Sequence, residues 1–597
     1  MKPIGKVFPL FVLVCIFILP WEAVGQKSGE AKDLEIILHQ PVRLSDGVHL
    51  SANIYKPAEM KEPLPAIFTF TPYISDEGQK RGPFFAQNGY VYVHVDVRGR
   101  GNSEGEFFPL EGKEGADGAQ VVEWIAKQPW CNGKVAMRGG SYRGMVQWQI
   151  LNHFPPSLKT IVPTAAASPG VDVPMLNNIT PSYIPQWLAF TCGKTGNINL
   201  FSDGKYWLNK FYKLYSKHLP FAKLAEITGS NQKIFKRFLS HPYVDDFWQA
   251  IMLPDETYKK INIPILSITG HFDGDQPGAM HYFRKHMQFG KKEIKEKHYL
   301  VIGPWDHAGT RYPQKELGGL SFADNSVIDM EQLHLEWYDW VLKGKEKPKF
   351  LKKRICYYLL KENQWKYKDN LDDISNQTMV WYLSSQNSQA NDVFHSGFLK
   401  PTPPQTNEQP DVFNYDPLKL ISKEEFYLNE SSASFLDQSR AFAEDRLIYH
   451  SAPLEEAIEV AGYVNFKAYI QLNVPDTDLQ MVLYEISPDG KSFPLVYDMI
   501  RARYRNSLSK PELVIPGKIY KYVFGNTFLL SAKKLEKGSR LRLIISCLNS
   551  PNFEKNYNSG GVVAEETAAD ARTAIIKLYH NKKYPSVLEL PVFVPER

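Results

Sequence analysis

From about Glu35 to Gly309 the sequence alternates apolar runs with segments of helical periodicity. Apolar runs of eight or nine residues, rich in β-branched and aromatic side chains, are typical of strands buried on both faces. Helices between such strands provide the crossovers that a parallel sheet requires. The pattern therefore predicts an α/β fold with strands at 66–73, 90–97, 133–140, 159–167, 263–270 and 297–305.

Two of the helical segments have clear ends. Residues 116–130 place apolar side chains on one face, and the helix is predicted to stop before Pro129. Residues 326–344 repeat apolar side chains at spacings of three and four and reach Gly344, a residue type that often follows the last helical turn.

The alternation stops at two places. Between 168 and 259, Pro, Trp, Tyr and Lys replace the β-branched runs, which predicts a helical insertion over the sheet edge where active sites lie. After about residue 376, short alternating segments separated by turn residues predict an all-β domain, a sandwich or jelly roll, over 376–597. The remaining parts of the α/β domain are then 26–167 and 260–375.

The first 25 residues have the pattern of a secretory signal peptide. Lys2 and Lys6 precede the apolar stretch 7–19, and small residues end at Gly25, so cleavage is expected between Gly25 and Gln26. An uncleaved membrane anchor is the alternative, but 13 apolar residues are few for a span of about 20. The sequence therefore predicts a secreted or periplasmic protein with no membrane span after signal removal.

Charge and histidine spacing indicate neither nucleic-acid binding nor a metal. The formal net charge is only +5 over 597 residues, and the lysine-rich stretch 343–354 is typical of a solvated loop. The 15 histidines form no H-E-x-x-H motif or Cys/His cluster, so no cofactor or catalytic metal is expected, although isolated Asp pairs leave a structural calcium open. The glycine-rich loop 98–105 lacks the dinucleotide-binding spacing. Nothing indicates an oligomeric state.

Four cysteines remain after signal removal, and they are widely spaced without a C-x-x-C pair. In an oxidising compartment they could form disulfides, but a chain this large does not depend on such bonds for its stability. The sequence gives no pairing for Cys131, Cys192, Cys356 and Cys547.

The stretch "VAMRGGSYRGMVQW" (135–148) places Ser141 between a strand and a helix. Glycines on both sides fit a turn too sharp for larger side chains, and such a turn holds the serine hydroxyl clear of the sheet beside the first N–H groups of the helix. The spacing departs from the general G-x-S-x-G pattern because Arg143 precedes the closing Gly144. The turn alone fits either a catalytic serine or a glycine-rich β-to-α loop.

A catalytic serine requires a base, and the base requires an orienting acid. In this fold class the chain order is serine, acid, histidine, each after a strand end. Asp273 follows the run 263–270, and His307 follows the run 297–305, so both are expected on the rim that holds Ser141. Asp275 is a rival acid. Two further histidines, His271 and His94, are alternative bases that fit ordinary strand or loop positions better.

These residues, together with "DVRGRGNSEG" (96–105), "HPYVDDFW" (241–248) and "GPWDH" (303–307), resemble the cocaine esterase and X-prolyl dipeptidyl-peptidase group of α/β-hydrolases. The resemblance covers nearly the whole mature chain. In this group the turn that carries the serine has the pattern G-x-S-Y-x-G. It implies a hydrolase domain, a helical cap inserted before the acid, and a C-terminal jelly roll.

The resemblance also implies roles for individual residues. Ser141 would be the nucleophile, Asp273 the orienting acid and His307 the general base. The oxyanion hole would consist of the Tyr142 backbone N–H and the hydroxyl of Tyr73 in "TFTPY". Asp273 is preferred over its rival because the group places its acid directly after an aromatic residue.

The predicted activity is hydrolysis of a small-molecule ester, amide or short peptide through an acyl-enzyme, as in carboxylesterases, α-amino acid ester hydrolases and acylases. An X-Pro dipeptidyl-peptidase is the alternative, and a catalytically silent, glycan-binding scaffold is a less favoured one. Arg143 fits either an acidic acyl group or, preferentially, a nearby carboxylate. Four aromatic residues of the insertion either line a pocket or pack: Tyr183, Trp187, Tyr206 and Trp207.

Overall fold

A computed structural model describes residues 33–75, 81–386, 388–426, 445–525 and 529–595. The predicted signal peptide at 1–25 lies outside these ranges. None of the helices within them has both the length and the apolar composition of a membrane span. Cys131, Cys192, Cys356 and Cys547 are all unpaired thiols.

The elements of the first half alternate strands with helices. They are β1 (Leu34–Arg43), β2 (His49–Pro57), β3 (Leu64–Thr71), α1 (Arg81–Gln87), β4 (Val91–Asp96), α2 (Lys113–Ala126), β5 (Cys131–Gly140), α3 (Tyr142–Leu151) and β6 (Leu158–Thr164). Helices then follow without an intervening strand: α4 (Tyr183–Thr191), α5 (Ile198–Phe201), α6 (Gly204–Ser216), α7 (Leu224–Thr228), α8 (Gln232–Leu239), α9 (Asp246–Ile251) and α10 (Asp255–Lys260).

The alternation resumes after the helices. The elements are β7 (Ile265–Phe272), α11 (Gln276–Phe289), α12 (Lys292–Lys295), β8 (His298–Asp306), β9 (Glu316–Leu317), β10 (Leu320–Ser321), α13 (Met330–Lys343), β11 (Ile355–Leu359) and β12 (Gln364–Lys368). The remaining elements are β13 (Gln377–Ser384), β14 (Gly397–Lys400), β15 (Asp411–Tyr415), β16 (Arg446–Ser451), β17 (Ile458–Tyr463), β18 (Asn465–Leu472), β19 (Asp478–Ile486), β20 (Ser492–Arg501), β21 (Ile519–Phe524), β22 (Leu530–Leu535), β23 (Arg540–Cys547), β24 (Ala574–Tyr579) and β25 (Val587–Phe593).

The first sheet has ten strands in the order β1-β2-β4-β3-β5-β6-β7-β8-β11-β12. Strands β3 to β8 and β11 pair in parallel, whereas β1, β2 and β12 add antiparallel edges. Every residue of β4 is buried, as expected for a strand covered by helices on both faces. The carboxyl ends of β3, β5, β7 and β8 therefore meet along one edge.

All six predicted strands are present as β3 to β8, with ends within three residues of the prediction. Helix α2 begins three residues before the predicted start, and α13 begins four residues after it. The edge strands β1, β2, β11 and β12 were not predicted. Strand β1 is mostly exposed and β11 has only five residues, so neither gives the long apolar run of a central strand.

The C-terminal part is all-β. Thirteen strands form its sheet, whose main path runs β15-β24-β18-β25-β13-β14-β16-β23-β19-β20, with β17, β21 and β22 pairing off this path. Alternating buried and half-buried residues in β18 and β19 show that one face covers a core. The predicted class, an α/β-hydrolase domain followed by an all-β domain, is confirmed.

A buried ion network joins the α/β part to the all-β part. Arg501, 2% exposed, donates two hydrogen bonds to Asp478 and lies 2.9 Å from Glu554 Oε1. It also donates to the backbone carbonyl of Asn178, while the backbone N–H of Thr180 donates to Glu554. The segment leading into α4 is thereby fixed to the C-terminal strands.

Candidate active site

Ser141 occupies a strained turn between β5 and α3. Its φ of 64° and ψ of −129° are unusual for a residue with a side chain. A Cβ at Gly139 would lie 2.4 Å from Arg143 Cβ, and a Cβ at Gly144 would lie 2.9 Å from the Thr164 carbonyl oxygen. Only glycine therefore allows strand and helix to approach so closely on either side of the serine.

The predicted acid and base are in hydrogen-bond contact. His307 directly follows β8, and its Nδ1 lies 2.8 Å from Asp273 Oδ1, just after β7. Asp273 is 2% exposed and also accepts hydrogen bonds from the Thr269 hydroxyl and the Asp275 backbone N–H. A carboxylate held in this way fixes the imidazole so that Nδ1 donates, which leaves Nε2 to act as the base.

Asp275, the rival acid, lies between the serine and the histidine. Its Oδ2 is 3.5 Å from Ser141 Oγ and 3.7 Å from His307 Nδ1. Among the described residues, no hydrogen bond joins Ser141 directly to His307. Burial, opposed by the attraction of His307 and assisted by repulsion from Asp273, raises the pKa of Asp275 to about 6. The structure thus places both acids at the site, in different contacts.

Asp273 and Asp275 together raise the pKa of His307. Burial lowers the pKa of His307, but the attraction of Asp275 and the hydrogen bond to Asp273 outweigh it, so the net pKa is raised above the ordinary value. The imidazolium form is consequently stabilised, as required of a base that takes up a proton during catalysis.

The two alternative bases lie elsewhere. His271 Nε2 is 2.8 Å from the Tyr358 carbonyl oxygen, and burial lowers the pKa of His271 to about 4. His94 is 2% exposed within β4, and burial lowers its pKa as well. Neither ring forms a hydrogen bond with Ser141.

Tyr73 and Tyr142, the predicted oxyanion donors, each have a donor group that the local structure leaves available. Tyr142 is the first residue of α3, so its backbone N–H has no partner within the helix. The Tyr73 hydroxyl oxygen accepts a hydrogen bond of 3.2 Å from Trp187 Nε1 in α4, which leaves its own O–H to donate. The Tyr73 ring stacks on Phe190 of the same helix, so the α4 segment positions this tyrosine.

The insertion's aromatic residues divide between the two predicted roles. Trp187 reaches the site through its bond to Tyr73, whereas Trp207 is buried and donates to the Leu200 carbonyl oxygen. Tyr206 packs edge-on against Trp207. Tyr183 is exposed and its ring contacts Phe201.

The preferred interpretation of Arg143, pairing with a nearby carboxylate, is wrong for the described residues. Its guanidinium forms no ion pair there and instead lies 5.3 Å from the centre of the Tyr73 ring. The pairing was expected because an arginine in a first helical turn usually finds an acidic neighbour. Here α3 has no acidic residue in that turn, and the neighbours are other arginines.

Sequence reasoning missed Asp172, a further acidic residue near the site. Its two oxygens accept from the backbone N–H groups of Ser168 and Gly278, so it caps the start of α11. Burial, followed by repulsion from Asp275, raises the pKa of Asp172 well above its ordinary range. Its only signal in the sequence is a single acid at the start of the insertion.

The loop that carries the acids, residues 271–276, is also fixed to the C-terminal strands. Gln276 Oε1 accepts from the Leu530 backbone N–H at 2.7 Å, and Gln276 Nε2 donates to the Gly270 carbonyl at 2.8 Å. Gln276 is fully buried. Within the described residues, no group of three His, Cys, Asp or Glu side chains is arranged to hold a metal ion.

Known proteins share this architecture. Residues 46–309 match the family described as X-Pro dipeptidyl-peptidase (S15 family), and residues 350–589 match the X-Pro dipeptidyl-peptidase C-terminal non-catalytic domain. Cocaine esterase from Rhodococcus sp. (strain MB1 Bresler) is 26% identical over 575 residues, which cover 92% of this chain and 97% of that protein.

Two solved structures have the same fold throughout. An aminopeptidase from the marine sediment archaeon Thaumarchaeota archaeon superposes with a TM-score of 0.80 at 21% identity, covering 97% of this chain and 99% of its own. An α-amino acid ester hydrolase superposes with a TM-score of 0.80 at 20% identity, covering 98% and 100%. The resemblance stated from the sequence is confirmed. Residues 46–309 therefore form a domain of the X-Pro dipeptidyl-peptidase (S15) family, residues 350–589 form the C-terminal domain that accompanies it, and the chain is a serine hydrolase related to cocaine esterase.

Proposed function

We propose that the protein hydrolyses ester or amide bonds through an acyl-enzyme on Ser141. The observation that supports this most is the 2.8 Å contact between His307 and Asp273 at the strand ends beside the strained serine turn. In this mechanism Ser141 Oγ attacks the carbonyl carbon while His307 Nε2 takes the hydroxyl proton. The histidine then returns the proton to the leaving group, and water releases the acid.

The oxyanion of each tetrahedral intermediate would accept hydrogen bonds from the Tyr142 backbone N–H and the Tyr73 hydroxyl. Both donors are in place before the substrate binds, because α3 fixes the first and Trp187 the second. Such preorganised donors stabilise developing charge without reorganisation in the transition state.

The acyl group that this site favours carries a free ammonium on its α-carbon. Asp275 brings a carboxylate to 3.5 Å from Ser141 Oγ in a half-buried position. A cation there would form a charge-assisted hydrogen bond and offset the cost of burying the carboxylate. The α-ammonium of an aminoacyl group lies only two bonds from the carbonyl carbon that the serine attacks, so it fits this distance.

The test compares two activated esters that differ only in the ammonium: the p-nitrophenyl esters of phenylalanine and of 3-phenylpropionic acid. We expect kcat/KM to be about tenfold or more higher for the amino ester, the factor that one charged hydrogen bond supplies. Equal values would reject the ammonium preference but leave the serine mechanism intact. If Ser141→Ala still hydrolysed both esters, the serine mechanism itself would be rejected.

An X-Pro dipeptidyl-peptidase activity is the second candidate, because the matched family carries that description. In such a substrate the free ammonium lies one residue, about 3.8 Å between Cα atoms, farther from the bond that is cut. The short distance from Asp275 to Ser141 favours the single aminoacyl group. Turnover of an X-Pro p-nitroanilide faster than of proline or phenylalanine p-nitroanilide would reverse this preference.

Secretion and the division into domains also belong to this proposal. A signal peptide over 1–25 would deliver the enzyme to the periplasm or the exterior, and amino-terminal sequencing of exported protein should begin at or near Gln26. We further propose that 168–259 forms the cap of the hydrolase domain, and 376–597 the jelly roll.

A catalytically silent, glycan-binding protein would fail to react with a fluorophosphonate probe, whereas we expect Ser141 to be labelled.

A further inference from the structure

A cavity lined by four arginines lies directly beside the serine turn. Gly139 and Gly140, the two residues before the nucleophile, form part of its wall. The cavity has a volume of about 20 Å³, which suits one small guest, and it is partly open to solvent. We call it the arginine pocket, after the residues that line it: Arg81, Arg138, Arg143 and Arg311.

The charges of this pocket are not balanced within the protein. Glu331 is the partner of two of the arginines, at 2.9 Å from Arg81 Nε and 2.6 Å from Arg138 Nη1. Among the described residues, the guanidinium groups of Arg143 and Arg311 form no ion pair and no hydrogen bond. Asp275 attracts Arg311 from outside hydrogen-bond distance, so two carboxylates face four cations. His334, which also lines the pocket, adds no negative charge and stays neutral because burial lowers its pKa to about 3.

Several polar atoms of the pocket are buried without a partner. They are Arg143 Nε, the Thr164 hydroxyl and His334 Nδ1. Thr164 is 2% exposed and His334 is 4% exposed, so water does not reach these side chains freely. Buried polar groups are nearly always hydrogen-bonded, and three unpartnered ones in a single cavity indicate that something else binds there.

The arginines also crowd one another. Burial, together with repulsion from Arg311 and Arg81, lowers the pKa of Arg143 to about 10. Arg311 is held against the serine turn, since a Cβ at Gly140 would lie 2.5 Å from its Nη1. The Tyr73 ring offers Arg143 a cation–π contact, which compensates for only part of the lost hydration.

We propose that the arginine pocket binds a small anion, a carboxylate or an inorganic oxyanion, between Arg143 and Arg311. A planar guanidinium presents two parallel N–H donors that match the geometry of such an anion. The Thr164 hydroxyl would provide a further donor. The anion would come either from the substrate, as its own carboxylate, or from solution as a free ion. Arg311 also attracts Asp275, so this site and the proposed ammonium site are electrostatic neighbours.

Binding is measured on protein that cannot turn over substrate, so the result does not depend on the proposed function. Ser141→Ala protein is titrated with sodium acetate, and separately with sodium phosphate, while bulky sodium gluconate keeps the ionic strength constant. We expect the melting temperature to rise saturably with at least one of the two anions. Adding Arg143→Gln should weaken the apparent affinity by about tenfold or more, because a charged hydrogen-bond donor is lost.

Arg237→Gln is the matched control, since Arg237 is an exposed arginine paired with Glu111 and lies outside the pocket. It should bind the anion like the parent protein. Arg143→Lys keeps the positive charge but not the two-pronged donor, and provides a second variant if Arg143→Gln does not fold. A response that is not saturable, or one that is identical in the Arg143 variants and the parent, would overturn the proposal.

Activity of the protein with Ser141 intact then identifies the source of the anion. If the substrate supplies it, Arg143→Gln should lower kcat/KM for p-nitrophenyl hemiglutarate about tenfold relative to its methyl ester. If the anion is a free ion, Arg143→Gln should change kcat/KM equally for both substrates. It should also abolish any effect of added acetate or phosphate on the rate. The kinetic data would contradict the proposal if Arg143→Gln changed neither the ratio of the two kcat/KM values nor the effect of acetate or phosphate on the rate.

Discussion

The Asp275 carboxylate lies 3.5 Å from the Ser141 hydroxyl and on the same side as His307, whose Nδ1 is 3.7 Å away. Asp273, the predicted orienting acid, lies 2.8 Å from His307 Nδ1 and also accepts hydrogen bonds from the Thr269 hydroxyl and the Asp275 backbone N–H. We therefore expect the two carboxylates to perform different tasks: Asp273 would fix the imidazole, and Asp275 would place negative charge beside Ser141. Their environments differ accordingly, because only Asp273 is fully buried.

Replacing Asp275 should separate these tasks. Asp275 raises the pKa of His307, so Asp275→Asn should lower that pKa and move the acidic limb of the kcat/KM profile to lower pH. The same variant should lose the preference for the phenylalanine ester over the 3-phenylpropionate ester. Asp273→Asn is the contrasting variant, with an expected loss in kcat of about 10⁴-fold because the imidazole tautomer is no longer fixed.

The carboxylate of Asp275 should also change its charge within the pH range in which activity is measured. Its pKa of about 6 means that it is ionised above that pH and neutral below it. We therefore expect KM for the phenylalanine ester to rise as the pH falls through 6, whereas KM for the matched ester without the ammonium should stay constant. A parallel rise for both esters would contradict the role of Asp275 in binding the ammonium.

Ser141 stores backbone strain in the serine turn. Ser141→Ala should abolish turnover of an activated ester while the fold is retained. Ser141→Gly should also be inactive, but its free energy of unfolding should exceed that of Ser141→Ala by about 1 kcal/mol. Glycine adopts a φ of 64° without the cost that a side chain imposes. Thermal unfolding of the two variants measures the difference. Equal melting temperatures would show that the turn is not strained.

Tyr73 should act on the chemical step rather than on binding. Tyr73→Phe keeps the stacking on Phe190 but removes the O–H, and we expect kcat to fall about 10²- to 10³-fold with little change in KM. Tyr206→Phe is the matched control, because Tyr206 packs on Trp207 and should leave kcat unchanged. An effect of Tyr73→Phe confined to KM would exclude the oxyanion role.

Arg501 should be essential for stability. Arg501→Met would leave Asp478 and Glu554 buried without their counterion, a change that typically destabilises by about 3–5 kcal/mol. Thermal or denaturant unfolding should show a large loss. Lys491→Met removes an exposed ion pair with Asp489 and should unfold like the parent protein.

The central strands and the order of the site residues followed from the sequence because both are local. A long apolar run predicts its own strand, and a residue just after that run lies at the sheet edge whichever strands are its neighbours. Ser141 and His307 were therefore identifiable individually, whereas the preference for Asp273 over Asp275 came from the resemblance to the cocaine esterase group. Their roles remain predictions that the variants above test.

The contacts of Asp275 and Arg143 were not predictable in the same way. Which carboxylate approaches the serine depends on how the loop 271–276 bends, and this loop is held by Gln276 through its bond to Leu530, more than 250 positions away in the chain. The surroundings of Arg143 likewise depend on Arg311 and Arg81, which the fold brings together from distant segments. Periodicity and spacing carry no information about such pairings.

The bond between Gln276 and Leu530 has a consequence for how the enzyme can be divided. The matched family describes the C-terminal region as non-catalytic, yet this region completes the hydrogen bonding of a buried amide one position after Asp275. Excising it would leave that amide unsatisfied at the base of the acid-bearing loop. A strand of the C-terminal region thus helps to hold the loop that carries both acids, so the conformation of the catalytic half depends on its attachment to that region.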